Sequence, residues 1–209
     1  MRGAFITLEG TEGVGKTTCL VFVREILDAA NIPNMVTREP GGTGLGDKIR
    51  DWVLKGNHGE LPTETETLLM FAARAYHLKR VIRPALDAGQ WVICDRFSDA
   101  TVAYQGGGRL GDKAWIKSLR SAIHGDLEPD LTLLLDAPVE VGLNRIRTRT
   151  LDHFERENQD FFMRVRTAYL ELARDEPDRI KVIDASPSLS EVKSRISTHM
   201  AAFLGELSR

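Results

Sequence analysis

The sequence predicts a three-layer α/β fold in which a five-stranded parallel sheet carries helices on both faces. Two observations predict it. Short apolar runs alternate along the chain with longer segments of helical period. The string GTEGVGKT at residues 10–17, a Gly-x-x-x-x-Gly-Lys-Thr loop, joins the first apolar run to the first helical segment. The runs at 4–8, 35–37, 91–94, 131–135 and 180–183 are the expected strands, opening with Ala4-Phe5-Ile6-Thr7-Leu8. Helices are expected at 17–30, 45–54, 63–88, 113–123, 139–147, 160–174 and 189–207, where apolar residues recur at helical spacing. Within 63–88, Pro84 starts a new turn or kinks the helix, and Gly89 stops it. Gly106-Gly107-Gly108 and the charged stretch 145–158 read as mobile loops.

A chain of 209 residues suits one domain, 1–209, with small mobile inserts. Its 28 Lys and Arg against 30 Asp and Glu create no overall positive field, so neither nucleic acid nor an anionic membrane is an expected partner. Small acidic ligands need only local charge and stay possible. Two cysteines, Cys19 and Cys94, lie in apolar surroundings and are read as core rather than as a disulfide framework. Met1-Arg2-Gly3 leads straight into the first strand without a signal peptide, and no apolar stretch reaches membrane-spanning length. A soluble protein of the reducing cytoplasm is expected.

The chemistry concentrates where strands end, which is where open α/β sheets bind ligands. After the first strand, Gly10, Gly13 and Gly15 allow a tight turn that aims backbone N–H groups at phosphate oxygens, and the helix that follows adds its positive dipole end. Lys16 supplies a point charge for β- and γ-phosphates, and the Thr17 hydroxyl suits Mg²⁺. After the third strand, Asp95 stands where a phosphate-loop protein holds Mg²⁺, and Arg96 offers a planar fork for a second phosphate. The second and fourth strands end in Arg38-Glu39-Pro40-Gly41-Gly42 and Asp136-Ala137-Pro138, which are expected to converge on the same crevice. Arg38, Arg50 and Arg96 are candidates for an acceptor's phosphate. Phe71 and Arg74, three apart on the long helix, share a face. They read either as a base-stacking and base-bonding pair or as a core ring beside a surface charge, and spacing leaves both open.

GTEGVGKT, Thr37-Arg38-Glu39-Pro40-Gly41-Gly42-Thr43, Leu69-Met70-Phe71-Ala72-Ala73-Arg74, Asp95-Arg96-Phe97 and Ala103-Tyr104-Gln105-Gly106-Gly107-Gly108-Arg109 together resemble the bacterial thymidylate kinases. The order and separations match across nearly the whole chain, through Ile183-Asp184-Ala185. The resemblance implies a P-loop nucleoside monophosphate kinase that moves the γ-phosphoryl group of ATP to dTMP in dTTP synthesis, with Mg²⁺, as a homodimer. It implies that Gly10, Thr11, Glu12, Gly13, Val14, Gly15, Lys16, Thr17 and Thr18 bind ATP. Phe71 would stack on thymine, Arg74 would hydrogen-bond the base, and Thr101 and Gln105 would lie beside it. Tyr104 would lie against the deoxyribose where a 2′-hydroxyl would crowd it. Glu12 matches an acidic residue near the sugar 3′-hydroxyl and the metal. Arg50 and Arg96 would clamp the dTMP phosphate with Arg38 close by.

Some family members carry an arginine inside the phosphate loop, but this chain has Gly13 there. The resemblance then points to lid arginines as transition-state cations, within a mobile lid at about 144–158. Arg149 and then Arg147 are the leading candidates, Arg145 is better placed to stack on adenine, and Arg156 completes the set. The lid departs from the family pattern in Asp152-His153-Phe154-Glu155, where relatives have arginine at the second position, and in Thr150, where a glycine is common. His58, His77, His124 and His199 show no metal-ligand spacing and are assigned no chemistry. No protein base is required, because the dTMP phosphate is already an anionic nucleophile. Two rival readings stay open at this stage: a P-loop kinase with a different acceptor, and a nucleotide-binding protein whose altered lid no longer catalyses.

Overall fold

The structure, a computed structural model, describes residues 2–55, 61–146 and 154–207. Five strands, β1 (Phe5–Glu9), β2 (Asn34–Arg38), β3 (Trp91–Asp95), β4 (Leu131–Asp136) and β5 (Ile180–Asp184), form one all-parallel sheet in the order β2-β3-β1-β4-β5. Every expected strand is present, and each runs one residue further than its apolar run, to Glu9, Arg38, Asp95, Asp136 or Asp184. The ladder holds that last residue extended, as in the pairings Leu8 with Asp95 and Arg38 with Asp95. A charged residue is thereby carried to the rim at the end of every strand.

Around the sheet lie α1 (Lys16–Ala29), α2 (Gly44–Lys55), α3 (Thr63–His77), α4 (Arg83–Asp87), α5 (Ser98–Thr101), α6 (Lys113–His124), α7 (Val139–Ile146), α8 (Gln159–Asp175) and α9 (Leu189–Leu207). Strand alternation sorts the core into layers. Ile6, Leu8, Leu133 and Leu135 face α1 and α9, meeting Cys19, Val23, Leu27, Ile196 and Met200. On the opposite face Phe5, Val92 and Cys94 pack with Leu78, Ile82 and Leu86, while Leu134 and Ile180 pack with Phe162, Val165 and Tyr169 of α8. Both cysteines are buried, as expected.

One expectation is extended and one corrected. The helical stretch at 63–88 divides as α3, a π-helical turn Leu78–Ile82 that the sequence did not foretell, and α4, where Pro84 starts a new turn as expected. Pro84 cannot donate to the carbonyl four residues back and its ring crowds it, so the chain widens for one turn before resuming. Gly106-Gly107-Gly108 is no mobile loop; it ends a second π-helical turn, Val102–Gly108, and all three glycines are buried. The missing side chains of Gly107 and Gly108 admit α8. A Cβ on Gly107 would stand 2.6 Å from Ala168 Cβ, and one on Gly108 2.5 Å from the Phe161 ring.

Candidate active site

The loop after β1 is a phosphate cradle in backbone terms. Gly10, Gly13 and Gly15 have φ of +135°, +72° and +94°, values that L side chains adopt at a cost. No side chain caps the start of α1, so its first N–H groups face outward. Lys16 is buried and folds back, its Nζ donating to the carbonyls of Gly10 (3.0 Å) and Thr11 (2.7 Å), with Glu12 at 3.8 Å. Burial, then the neighbouring Arg96 charge, pulls the Lys16 amine down to about 8. At Gly13 the loop lies directly on α7, where a Cβ would overlap the Gly142 carbonyl. An arginine side chain at that position is sterically excluded in this packing. Thr11 and Val14 are buried, Val14 within the core between β1 and α1.

Two cavities open at the carboxyl ends of the strands. A polar one of about 1100 Å³ is lined by Gly13, Gly15, Lys16, Thr17 and Thr18 of the loop, with Asp95, Arg145 and Glu155 around it. A second, of about 510 Å³, is lined by Glu39, Met70, Arg74, Thr101, Tyr104, Gln105 and Phe154 among others. Glu12, Arg50 and Arg96 line both.

Arg96 is the hinge between them. Its φ is +65°, a strained value for a non-glycine, and its N–H is held by the Leu8 carbonyl at 3.0 Å. The side chain reaches over the phosphate loop, where Nη2 donates to Glu12 (2.8 Å), the Tyr104 hydroxyl (2.8 Å) and the Gly10 carbonyl (3.2 Å). Tyr104 in turn donates to the other Glu12 oxygen at 2.9 Å. Burial pushes the Glu12 carboxyl up, but the charges of Arg96 and Lys16 outweigh it and bring Glu12 down to about 2. Arg96 Nε is buried without a protein hydrogen bond. So is Asp95 Oδ1, a lone carboxylate oxygen beside Thr17 and the cradle. Among the described residues no cluster of three or more His, Cys, Asp or Glu could hold a metal by itself. One carboxylate, one hydroxyl and a ligand's phosphates nevertheless fit Mg²⁺, which keeps much of its water and takes few protein ligands.

In the smaller cavity Arg74 is 3 % exposed and held at three points: Nε donates to Glu39 (2.6 Å), and Nη2 to the Phe97 carbonyl (3.1 Å) and the Thr101 hydroxyl (3.0 Å). Its Nη1 is buried with no partner. The surface-charge reading of Arg74 is thus excluded. Phe71 is 1 % exposed and does not line the cavity; its ring lies 4.9 Å from the Arg74 guanidinium carbon, which fits the core reading of that residue. Gln105 donates from Nε2 to the buried Glu66 at 2.7 Å.

Several braces escaped the sequence reading. Glu39 binds Arg74 on one oxygen and His77 Nδ1 on the other (3.0 Å), while His77 Nε2 meets the Thr37 hydroxyl (2.7 Å). Glu9 accepts from the Phe97 N–H (2.7 Å) and the Tyr169 hydroxyl (2.6 Å). Burial, then the Asp99 charge, pushes Glu9 up to about 8. No motif reveals these pairings, since the partners lie 35 to 160 positions apart; a carboxylate closing an apolar run, as Glu9 does, was an available signal.

Two strand-end groups do not join the crevice. Arg38 is half-exposed, pairs with Asp47 at 3.2 Å and lines neither cavity. Asp136 takes both arms of Arg166, at 2.7 and 2.8 Å. Arg145 lines the larger cavity and donates to the carbonyls of Ala185 and Ser186. Arg147, Arg149, Thr150 and His153 lie outside the described residues.

A parallel sheet with a phosphate cradle at the end of its central strand, facing a second, base-sized cavity across shared arginines, defines a P-loop kinase of small phosphorylated acceptors. The thymidylate kinase family model matches residues 8–196. Thymidylate kinase of Pseudomonas syringae pv. syringae strain B728a is 49 % identical over 210 residues, covering all of both chains. That of Methylococcus capsulatus is 51 % identical over 203 residues, 97 % of each chain. The crystal structure of thymidylate kinase from Ehrlichia chaffeensis superposes with a TM-score of 0.74 at 31 % identity, covering 96 % of this chain and 99 % of that one. The chain belongs to the thymidylate kinase family.

Proposed function

We propose that the chain transfers the γ-phosphoryl group of ATP to dTMP, giving dTDP and ADP, with the larger cavity holding the donor and the smaller one the acceptor. The observation that carries this reading is the shared wall: Glu12, Arg50 and Arg96 line both cavities, so two phosphorylated ligands would meet there end to end. Holding reactants in line is most of the catalysis that phosphoryl transfer requires.

The donor's phosphates would lie on the N–H groups of 10–17 with Lys16 released from its loop carbonyls toward the β- and γ-oxygens. Mg²⁺ would be held by Thr17 and Asp95, and when bound it neutralises charge on those oxygens. Arg145, beside the loop after β5, would flank adenine. Arg50 and Arg96 would clamp the acceptor phosphate, and the unpartnered Arg96 Nε supports that role. With an arginine excluded at Gly13, Arg149 and Arg147 are the proposed cations for the transferring group. Arg38 is left out of the clamp, because Asp47 already holds it.

Base selection follows from hydrogen-bond polarity. Arg74 Nη1, a buried donor without an acceptor, suits the 4-carbonyl of thymine and opposes the 4-amino group of cytosine. Gln105, its NH₂ committed to Glu66, offers an oxygen to the ring N3–H. Thr101 is pinned by Arg74, and the Tyr104 ring would crowd a ribose 2′-hydroxyl. Phe71 would act through Arg74, as the surface its guanidinium rests on.

Mg²⁺ dependence, a cytoplasmic location and a homodimer belong to the same reading. An exposed stripe of Leu68, Ala72 and Tyr76 along α3 supports a homodimer face. Among the described residues no helix is long and apolar enough to cross a membrane. A coupled ADP-release assay with ATP, Mg²⁺ and a panel of nucleoside monophosphates tests the proposal. Turnover is expected with dTMP and far less with dCMP. A preferred acceptor other than dTMP, or no turnover at all, would overturn it.

A further inference from the structure

The turn that ends at Gly108 delivers Arg109 to a place between two carboxylates that belong to different parts of the molecule. Its Nη1 lies 2.5 Å from Glu157 and its Nη2 3.5 Å from Glu66, which is fully buried and holds Gln105 through its other oxygen. The guanidinium carbon also sits 5.0 Å from the Phe161 ring centroid and 5.6 Å from that of Phe154, within cation–π range. The backbone N–H of Arg109 donates to the Tyr104 carbonyl at 2.8 Å. The side chain thus touches the support of Gln105 and the segment 154–157, while the backbone of the same residue closes the turn that carries Tyr104.

That segment serves both cavities. Phe154 lines the smaller one and packs edge-on against Tyr104 at 5.5 Å, while its neighbour Glu155, also buried, lines the larger one. Within the segment Glu157 N–H bonds to the Phe154 carbonyl at 2.9 Å, so a pull on Glu157 is transmitted to Phe154. We infer that Arg109 is a positioning residue that ties segment 154–157 to the floor of the acceptor cavity, so that the acceptor and donor cavities are set by one ion-paired bridge. It touches neither nucleotide and acts through Gln105, Tyr104, Phe154 and Glu155. This inference rests on the assignment of the two cavities to dTMP and ATP.

The test uses the full chain and four proteins: unmodified, Glu157→Gln, Arg109→Met and the double variant. Each is assayed for kcat and for KM toward dTMP and ATP, with a thermal melt. Arg109→Met loses the hydrogen-bonded ion pair with Glu157 and the longer ion pair with Glu66, and is expected to raise both KM values roughly tenfold. Glu157→Gln, at a partly exposed site, is expected to raise both by a few-fold. The double variant should be no worse than Arg109→Met, because both changes break one bridge. A merely structural contact would lower the melting temperature and leave both KM values in place, which overturns the inference. So would a KM rise confined to dTMP, or losses that multiply in the double variant. If Arg109→Met does not fold, Arg109→Lys and Glu157→Gln carry the same comparison. Failure of the unmodified chain to turn over dTMP overturns the cavity assignment instead, and is told apart by that single control.

Discussion

Replacing Tyr104 by phenylalanine separates two roles that one side chain combines. The hydroxyl accepts from Arg96 at 2.8 Å and donates to Glu12 at 2.9 Å, closing a triangle whose third side is the Arg96–Glu12 pair. Charge-assisted hydrogen bonds of this kind contribute about 1.5–3 kcal/mol each. The full sum is not expected, because Arg96 keeps Glu12 and the Gly10 carbonyl, and the Glu12 oxygen faces cavities that admit water. One bond's worth remains, about 1.5 kcal/mol, or roughly tenfold in kcat/KM for dTMP. The ring stays in place, so the preference for dTMP over its ribose counterpart should not change. Tyr104→Ala, which removes the ring as well, should relax that preference beyond its effect on dTMP. The assay is the coupled ADP-release measurement with both nucleotides. Full activity in Tyr104→Phe would refute the idea that the hydroxyl positions Arg96, and an altered sugar preference in that variant would refute the division of roles between ring and hydroxyl.

Phe71→Ala should cost about 3–5 kcal/mol of stability, read in a thermal or denaturant melt, because a fully buried ring leaves a cavity. An unchanged melt combined with dTMP binding weaker by about 1–3 kcal/mol would show instead that the ring stacks on the base. Glu9 sets a pH dependence. Its carboxyl titrates near 8 in the folded chain against 4.5 unfolded, so between those values the folded state holds a proton that the unfolded state has released. Stability from this group is therefore greatest below 4.5, falls as pH rises, and is lost above 8. Glu9→Gln should flatten that part of the melting-temperature profile, and an unchanged slope would mean that other groups carry it. The acceptor panel and the Arg109 variants complete the set.

The phosphate loop, the five strands and most helices were legible in the chain because each depends on neighbours in sequence: alternation, helical period, and glycines where φ turns positive. The same locality misled at two points. A helical pattern through Pro84 concealed a π-helical turn, and a run of three glycines that looked like slack is a buried turn in which Gly107 and Gly108 form a tight seat for α8. The site residues that sit on motifs were readable as types, but their partners were not. Whether Arg74 was a surface charge or a buried donor depended on Glu39, Phe97 and Thr101, which strand order alone brings together. Arg38 and Arg96 look alike as arginines beside strand ends, yet one is spent on Asp47 in solvent and the other bends back over the cradle. What the sequence by itself determined is the sheet, the cradle and the class of chemistry, since these arise from local backbone geometry. The tertiary structure alone decided which charges are paired and which donors are left over for a ligand. Burial and distance between remote segments set those energies, and neither quantity is written in the order of residues.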